Sequence, residues 1–125
     1  LALHPKDREA LGIEVNSLVA LDSACNTGEP VILPVVEDAQ LRRKTCFAPI
    51  HWSASWGSNI TLGALFNGAH DPLSGQPELK HGAVNLTRAN FELHGQMIIA
   101  DDSKLNIVSE HFDYWAKNEN DRGSR

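Results

Sequence analysis

The hydrophobic positions of this chain fall into short runs separated by turn-forming residues, a pattern of strands rather than of long helices. Residues 18–21 form a first apolar run, closed off by the turn signal Asn26-Thr27-Gly28. Residues 31–36 form a second, in which Pro34 points to a sheet edge or a bulge because proline has no N–H for an interior ladder. Residues 45–50 form a third, with Pro49 near its end. Ahead of them His4 to Gly12 reads as a short helix with both ends marked. Pro5 suits the first helical turn, where its missing N–H would be unpaired anyway. Asp7 and Glu9 lie near the positive end of the helix dipole, and Gly12 can take the left-handed conformation that closes a helix. Ala10, Leu11 and Ile13 supply a small apolar face. The expectation is a helix followed by a meander of short strands, with no βαβ repeat.

From residue 51 to residue 80 the periodicity disappears. This stretch carries Trp52 and Trp56, two prolines, several glycines and many small polar residues. So long an irregular segment within one compact domain is unusual, and its composition favours an ordered binding loop. Regular structure is expected again at residues 83–93. A turn at His94-Gly95 and a run at residues 96–100 would complete a hairpin. Asp101-Asp102-Ser103 resembles a helix cap, and Leu105, Val108, Phe112 and Trp115 recur at helical spacing. Such a stripe is more often a packing face than a cofactor site. The division that results is a domain at residues 1–89 containing a binding loop at 51–80, a C-terminal strand and helix packed on it at 90–117, and a flexible tail at 118–125.

Composition adjusts this picture in a few places. At 125 residues the chain can bury one core of its own. A net charge of -5 argues against a general nucleic-acid or anionic-membrane binder, yet leaves room for an anionic ligand held by a few local donors. No apolar run approaches the ~20 residues that span a bilayer. Leu1-Ala2-Leu3-His4-Pro5 has neither the basic nor the apolar region of a signal peptide, and it lacks a start methionine, as an excised piece would. Cys25 and Cys46 are too far apart for a metal knuckle or an iron–sulfur motif and read as ordinary thiols. The six histidines show no His-x-x-x-His pairing, and Ser53, Ser55 and Ser58 lie in no Gly-x-Ser-x-Gly elbow. No glycine-rich phosphate loop is present. The Asn-x-Thr triplets at Asn59 and Asn85 carry little weight alone.

Three blocks are more specific than any of these features. Phe47-Ala48-Pro49-Ile50-His51-Trp52 is followed by Asn59-Ile60-Thr61-Leu62, then by Asp71-Pro72-Leu73-Ser74-Gly75-Gln76-Pro77-Glu78-Leu79-Lys80, ending at a strand. With the opening His4-Pro5-x-Asp7 unit, this order resembles the C-terminal molybdopterin-dinucleotide-binding domain of the dimethyl-sulfoxide-reductase superfamily, most of all in bacterial assimilatory nitrate reductases. The resemblance runs over about residues 1–88. It implies a mainly β fold, a six-stranded double-psi β-barrel with short helices, to which the pattern above adds a C-terminal helix. The family's earlier opening strand and its Thr-Gly-Arg loop do not occur in this sequence, so the barrel is expected to be incomplete at its N-terminal side unless something replaces that strand.

The implied cofactor is molybdenum-bis(molybdopterin guanine dinucleotide), shared with the remaining catalytic domains of a parent enzyme. Those domains would supply the metal's protein ligand and any cluster cysteines, so this chain is not expected to be catalytic on its own. The implied contacts are His51, Trp52, Asn59, Thr61 and Lys80. Lys80 could give a point charge to an anionic oxygen, where otherwise it would be a solvated lysine at a strand start. Asn59 both donates and accepts, as a pterin edge requires, but a loop asparagine is otherwise a turn residue. His51 and Trp52 are flat and could lie along a pterin, although core packing explains Trp52 equally well. Trp56 reads as loop packing, Asp71, Pro72 and Pro77 as residues that fix the loop's shape, and Glu78 as either a base contact or a brace. The expected role is to position the cofactor in a cytoplasmic nitrate reductase. A periplasmic-type nitrate reductase, a formate dehydrogenase, or a stand-alone double-psi barrel that binds a protein or small ligand without molybdenum are the competing readings. Neither nucleic acid nor membrane is expected as a partner.

Overall fold

The structure is a computed structural model that describes residues 1–99 and 110–117. Among these residues it is mainly β: six short strands, one helix and one 3₁₀ turn. The helix, α1 (Pro5–Ala10), starts where proline predicts it should. His4 caps it, its ring nitrogen accepting the Lys6 amide at 3.1 Å. Leu11 is the C-cap and Gly12 follows at φ 65°, the left-handed closing position.

The strands form two three-stranded sheets. The first has β2 (Leu18–Asp22) at its centre, flanked by β3 (Val31–Pro34) and β6 (Asn85–Arg88), both antiparallel to it. Val19 and Leu21 point into the core from β2, at 0% and 2% exposure, while every residue of Val31-Ile32-Leu33 is buried. An uninterrupted apolar run of that kind marks a strand covered on both faces. Pro34 ends β3 at an edge position facing Leu18, as its missing donor requires. The second sheet has β1 (Ala2–Leu3) at its centre, parallel to β4 (Val36–Glu37) and antiparallel to β5 (Cys46–Phe47). The chain passes from one sheet to the other through Val35 alone, which is fully buried, and its N–H donates to the Ser17 carbonyl at 3.0 Å. Both sheets therefore share one core, which gathers Leu1, Leu3, Ile13, Val19, Leu21, Val35 and their neighbours with Ile60, Leu62 and Leu65 from the irregular segment.

Several sequence expectations change. β1 was not foreseen, and its parallel pairing with β4 breaks the simple meander. The apolar run at 31–36 divides into β3 and β4, because Val35 pairs inward rather than along either ladder. The run at 45–50 shrinks to two paired residues, since its partner β1 is itself only two residues long. The hairpin expected after residue 83 is replaced by pairing of β6 with β2, in which Leu86 faces Leu21. Residues 93–99 hold no strand and leave Leu93 and Ile98 almost wholly exposed. The helix predicted from Asp101 falls mostly outside the described residues, as does the tail at 118–125. Glu110 and His111 are helical, but the last expected turn is corrected: residues 112–117 lie in no helix, with a bend at Asp113, and Ala116 forms an antiparallel bridge with Gly57. No closed barrel is formed by the described strands.

Candidate functional site

The irregular segment is ordered by its own polar groups. Asp71 accepts hydrogen bonds from the Leu73 and Ser74 amides at 3.0 and 2.7 Å and from the Ser74 hydroxyl at 2.9 Å. These donors hold the Asp71 carboxyl below the usual carboxylate range. The Asp71 amide donates to the Gln76 carbonyl, the Glu78 amide donates to the Ala69 carbonyl, and His70 and Pro77 form an antiparallel bridge. The Asp71-Pro72-Leu73-Ser74 sequence is thus a self-capped turn at the tip of a small protruding loop. Glu78 takes the brace role left open by the sequence, its carboxylate accepting the Lys80 amide at 3.1 Å with the His81 ring 3.9 Å away.

This loop and the stretch at residues 46–51 both line an open groove of about 1430 Å³. Core residues Leu1, Leu21, Leu62 and Leu65, with Phe66, form its apolar part. Ala48, Pro49, Ile50 and His51 line it from the first segment, and Asp71, Gln76, Pro77, Leu79 and Lys80 from the loop. Gly82 lines it at a point of close approach, where an added Cβ would lie 3.0 Å from the Phe66 ring. Among the described residues the Lys80 ammonium enters no ion pair. The groove's other charged side chains are Asp71, whose Oδ1 accepts the three bonds of its turn, and Glu78, whose carboxylate accepts the Lys80 amide. An apolar lining with one uncommitted cation, imidazoles and an amide suits a long ligand with both planar and anionic parts.

The five residues expected to bind are not all brought together. His51 and Lys80 both line the groove, from segments 29 residues apart in sequence. Trp52 leans away from it, with its ring 5.6 Å from His51 and edge-on to Trp56 at 5.4 Å. Asn59 stands at φ 52° and its carbonyl accepts the Ile32 amide at 2.7 Å, so its backbone fastens the loop to the outer edge of β3. Thr61 opens the 3₁₀ turn (Leu62–Leu65) without a side-chain cap bond. Both Asn59 and Thr61 are exposed. The residues that sequence reasoning passed over are the groove's apolar part and Gln76. Gln76 sits inside the best-matching block, so that block was the available signal. The apolar part is assembled from residues distant in sequence and had none.

The self-capped turn, strands β1 to β5 and all of the groove's lining except Val84 lie within residues 1–83, the span matched by a family model described as "Molydopterin dinucleotide binding domain". The chain belongs to this family. Its cofactor is therefore the one expected from the sequence, a molybdopterin guanine dinucleotide bearing molybdenum. A second comparison finds a relative in the nitrate reductase of Synechocystis sp., 44% identical over 43 residues. That segment is 34% of this chain and 6% of the relative, so the shared region is a small part of a much larger protein. The molydopterin dinucleotide binding domain described here fits its ligand in chemical character. The groove supplies planar apolar surface for ring systems and a cation beside it, and no described cluster of His, Cys, Asp or Glu could hold the metal itself.

Proposed function

We propose that this chain positions the pterin dinucleotide of a molybdenum oxidoreductase of the nitrate reductase type, with His51 and Lys80 making contact from two segments that line one groove. The observation that carries this reading is the convergence of two sequence-distant blocks, 46–51 and 69–82, on one groove whose free cation is Lys80. Lys80 would hold an anionic oxygen of the dinucleotide. The His51 ring, next to the apolar stretch of Ala48, Pro49 and Ile50, would lie along a planar part of it. Trp52, Asn59 and Thr61 belong to the proposal as exposed side chains of the same loop, available to parts of the cofactor that extend beyond the groove. When bound, the cofactor supplies the metal at which oxygen and electrons are transferred. The work of this chain is to orient it and to keep its flank out of water.

The fold belongs to this proposal in its finer form. Two sheets share a core and are linked through one buried residue, with a parallel pair at β1 and β4, as parts of a double-psi barrel would be. The parent's nitrate-reducing activity and its other domains are proposed from the likeness to the Synechocystis nitrate reductase, and its cytoplasmic placement from the sequence resemblance alone. Calorimetric titration with GDP, a fragment of the cofactor's nucleotide end, tests the site. The unmodified chain should bind in the millimolar to micromolar range, and Lys80→Gln should weaken binding about tenfold while thermal stability stays unchanged. Equal affinity in the two proteins would remove Lys80 from the site.

A further inference from the structure

Beyond the family match, the chain turns back onto the binding loop. Residues 114–117 lie alongside Trp56, Gly57 and Ser58 as a short antiparallel partner. The Ser58 amide donates to the Trp115 carbonyl at 2.9 Å and the Lys117 amide donates to the Trp56 carbonyl at 2.8 Å. The Ser58 hydroxyl adds a third bond by accepting the Trp115 amide at 2.8 Å. Gly57 permits the approach: a Cβ there would come within 2.8 Å of the Trp115 carbonyl oxygen and 3.2 Å of the Ala116 Cα. The other end of the segment is anchored by Tyr114, stacked on Phe91 at 5.7 Å just past β6 and packed against the core.

We propose that residues 114–117 are a clasp that sets the position of the loop's aromatic end, with Ser58 and Gly57 as positioning residues. Contact passes without a break from the clasp to the groove. Lys117 lies 5.9 Å from the Trp56 ring centre, Trp56 meets Trp52 edge-on, and Trp52 meets His51, which lines the groove. The segment from residue 51 to residue 58 forms no strand or helix of its own, so the clasp's three bonds and the packing of Trp56 fix where His51 stands. This inference rests on the proposed role of the groove, yet it makes a structural claim that can be read without any ligand.

The test uses the full 125-residue chain and backbone amide exchange, together with the NMR contact between the His51 and Trp52 rings. In Gly57→Ala the added methyl should force the clasp open. Exchange at Ser58 and Lys117 should rise about tenfold or more and the His51–Trp52 contact should fade, with β2 and β3 amides unchanged. Gly63→Ala, where a Cβ meets nothing within 4 Å, should alter neither reading. Ser58→Ala should speed exchange at Trp115 and Ser58→Thr should restore it, which keeps the claim testable if Gly57→Ala fails to fold. Retained protection of Ser58 and Lys117 in Gly57→Ala overturns the clasp, and so does a His51–Trp52 contact that survives their loss of protection. Titration with GDP separates the two claims. A chain that never binds GDP but loses its ring contact in Gly57→Ala upholds the clasp and rejects the proposed function. Unchanged GDP affinity in an opened clasp rejects the positioning role.

Discussion

Asp71 shows how much one side chain can decide. Its carboxylate organises the loop tip through three bonds, and those bonds hold its pKa down. A carboxyl whose folded pKa is depressed contributes order above its unfolded value of about 3.9 and loses it as pH falls through the lower folded value. The Leu73 and Ser74 amide resonances should therefore move together in an acid titration, with a midpoint below that of a free carboxylate. Asp71→Ala should loosen residues 71–76 without a change in global stability, since the side chain lies outside the core. Gly12→Ala should cost about 1 kcal/mol, measured by urea unfolding, because φ of 65° is strained for any residue with a Cβ. The two thiols should separate in rate. Cys25 is exposed, whereas burial pushes the Cys46 thiol up and keeps it protonated, so an alkylating reagent should modify Cys25 first. At this scale the sequence was informative where a residue acts through its own neighbours. The His4 and Pro5 start, the Gly12 stop and the Asp71 turn were all legible. Lys80 and His51 could be nominated from their blocks, but nothing local in the sequence showed that they line one groove.

Among the elements, β2 is the member on which both the core and the groove depend. It pairs on both edges, and its Val19 and Leu21 side chains are buried. Leu21→Ala should lower stability by about 2–5 kcal/mol in denaturant unfolding, while the same change at exposed Leu73 should leave it unaltered. β2 and β3 could be read from the sequence because each buries a run of apolar residues, a signal carried by the strand itself. β1 could not, since a two-residue strand holds no period and exists only through partners more than thirty residues away. For the same reason β4 and β5 were legible only inside the longer runs at 31–36 and 45–50. β6 was found but given the wrong partner: a His-Gly turn favours a local hairpin, and the facing Leu21 and Leu86 pair outweighs it. Trp115 shows the same failure in reverse. Its place in a helical stripe was a valid pattern, yet in the structure its backbone pairs with Ser58 across a gap of 57 residues.

For the molecule as a whole, the family match, the shared core and the groove describe a molybdopterin-dinucleotide-binding domain that is part of a larger enzyme. Two sheets joined through Val35 bring core residues to the groove, and the rest of its lining comes from the irregular segment and the stretch after β5. The central claim is that this lining forms a dinucleotide site. It is tested most directly by following the backbone amides of the folded 125-residue chain by NMR during titration with GDP. The account predicts saturable shifts concentrated at His51 and at residues 69–82, with Lys80 and its neighbours among the largest and the β2–β3 pairing undisturbed. A folded spectrum that does not change at millimolar GDP, or shifts that gather away from the groove, would contradict it.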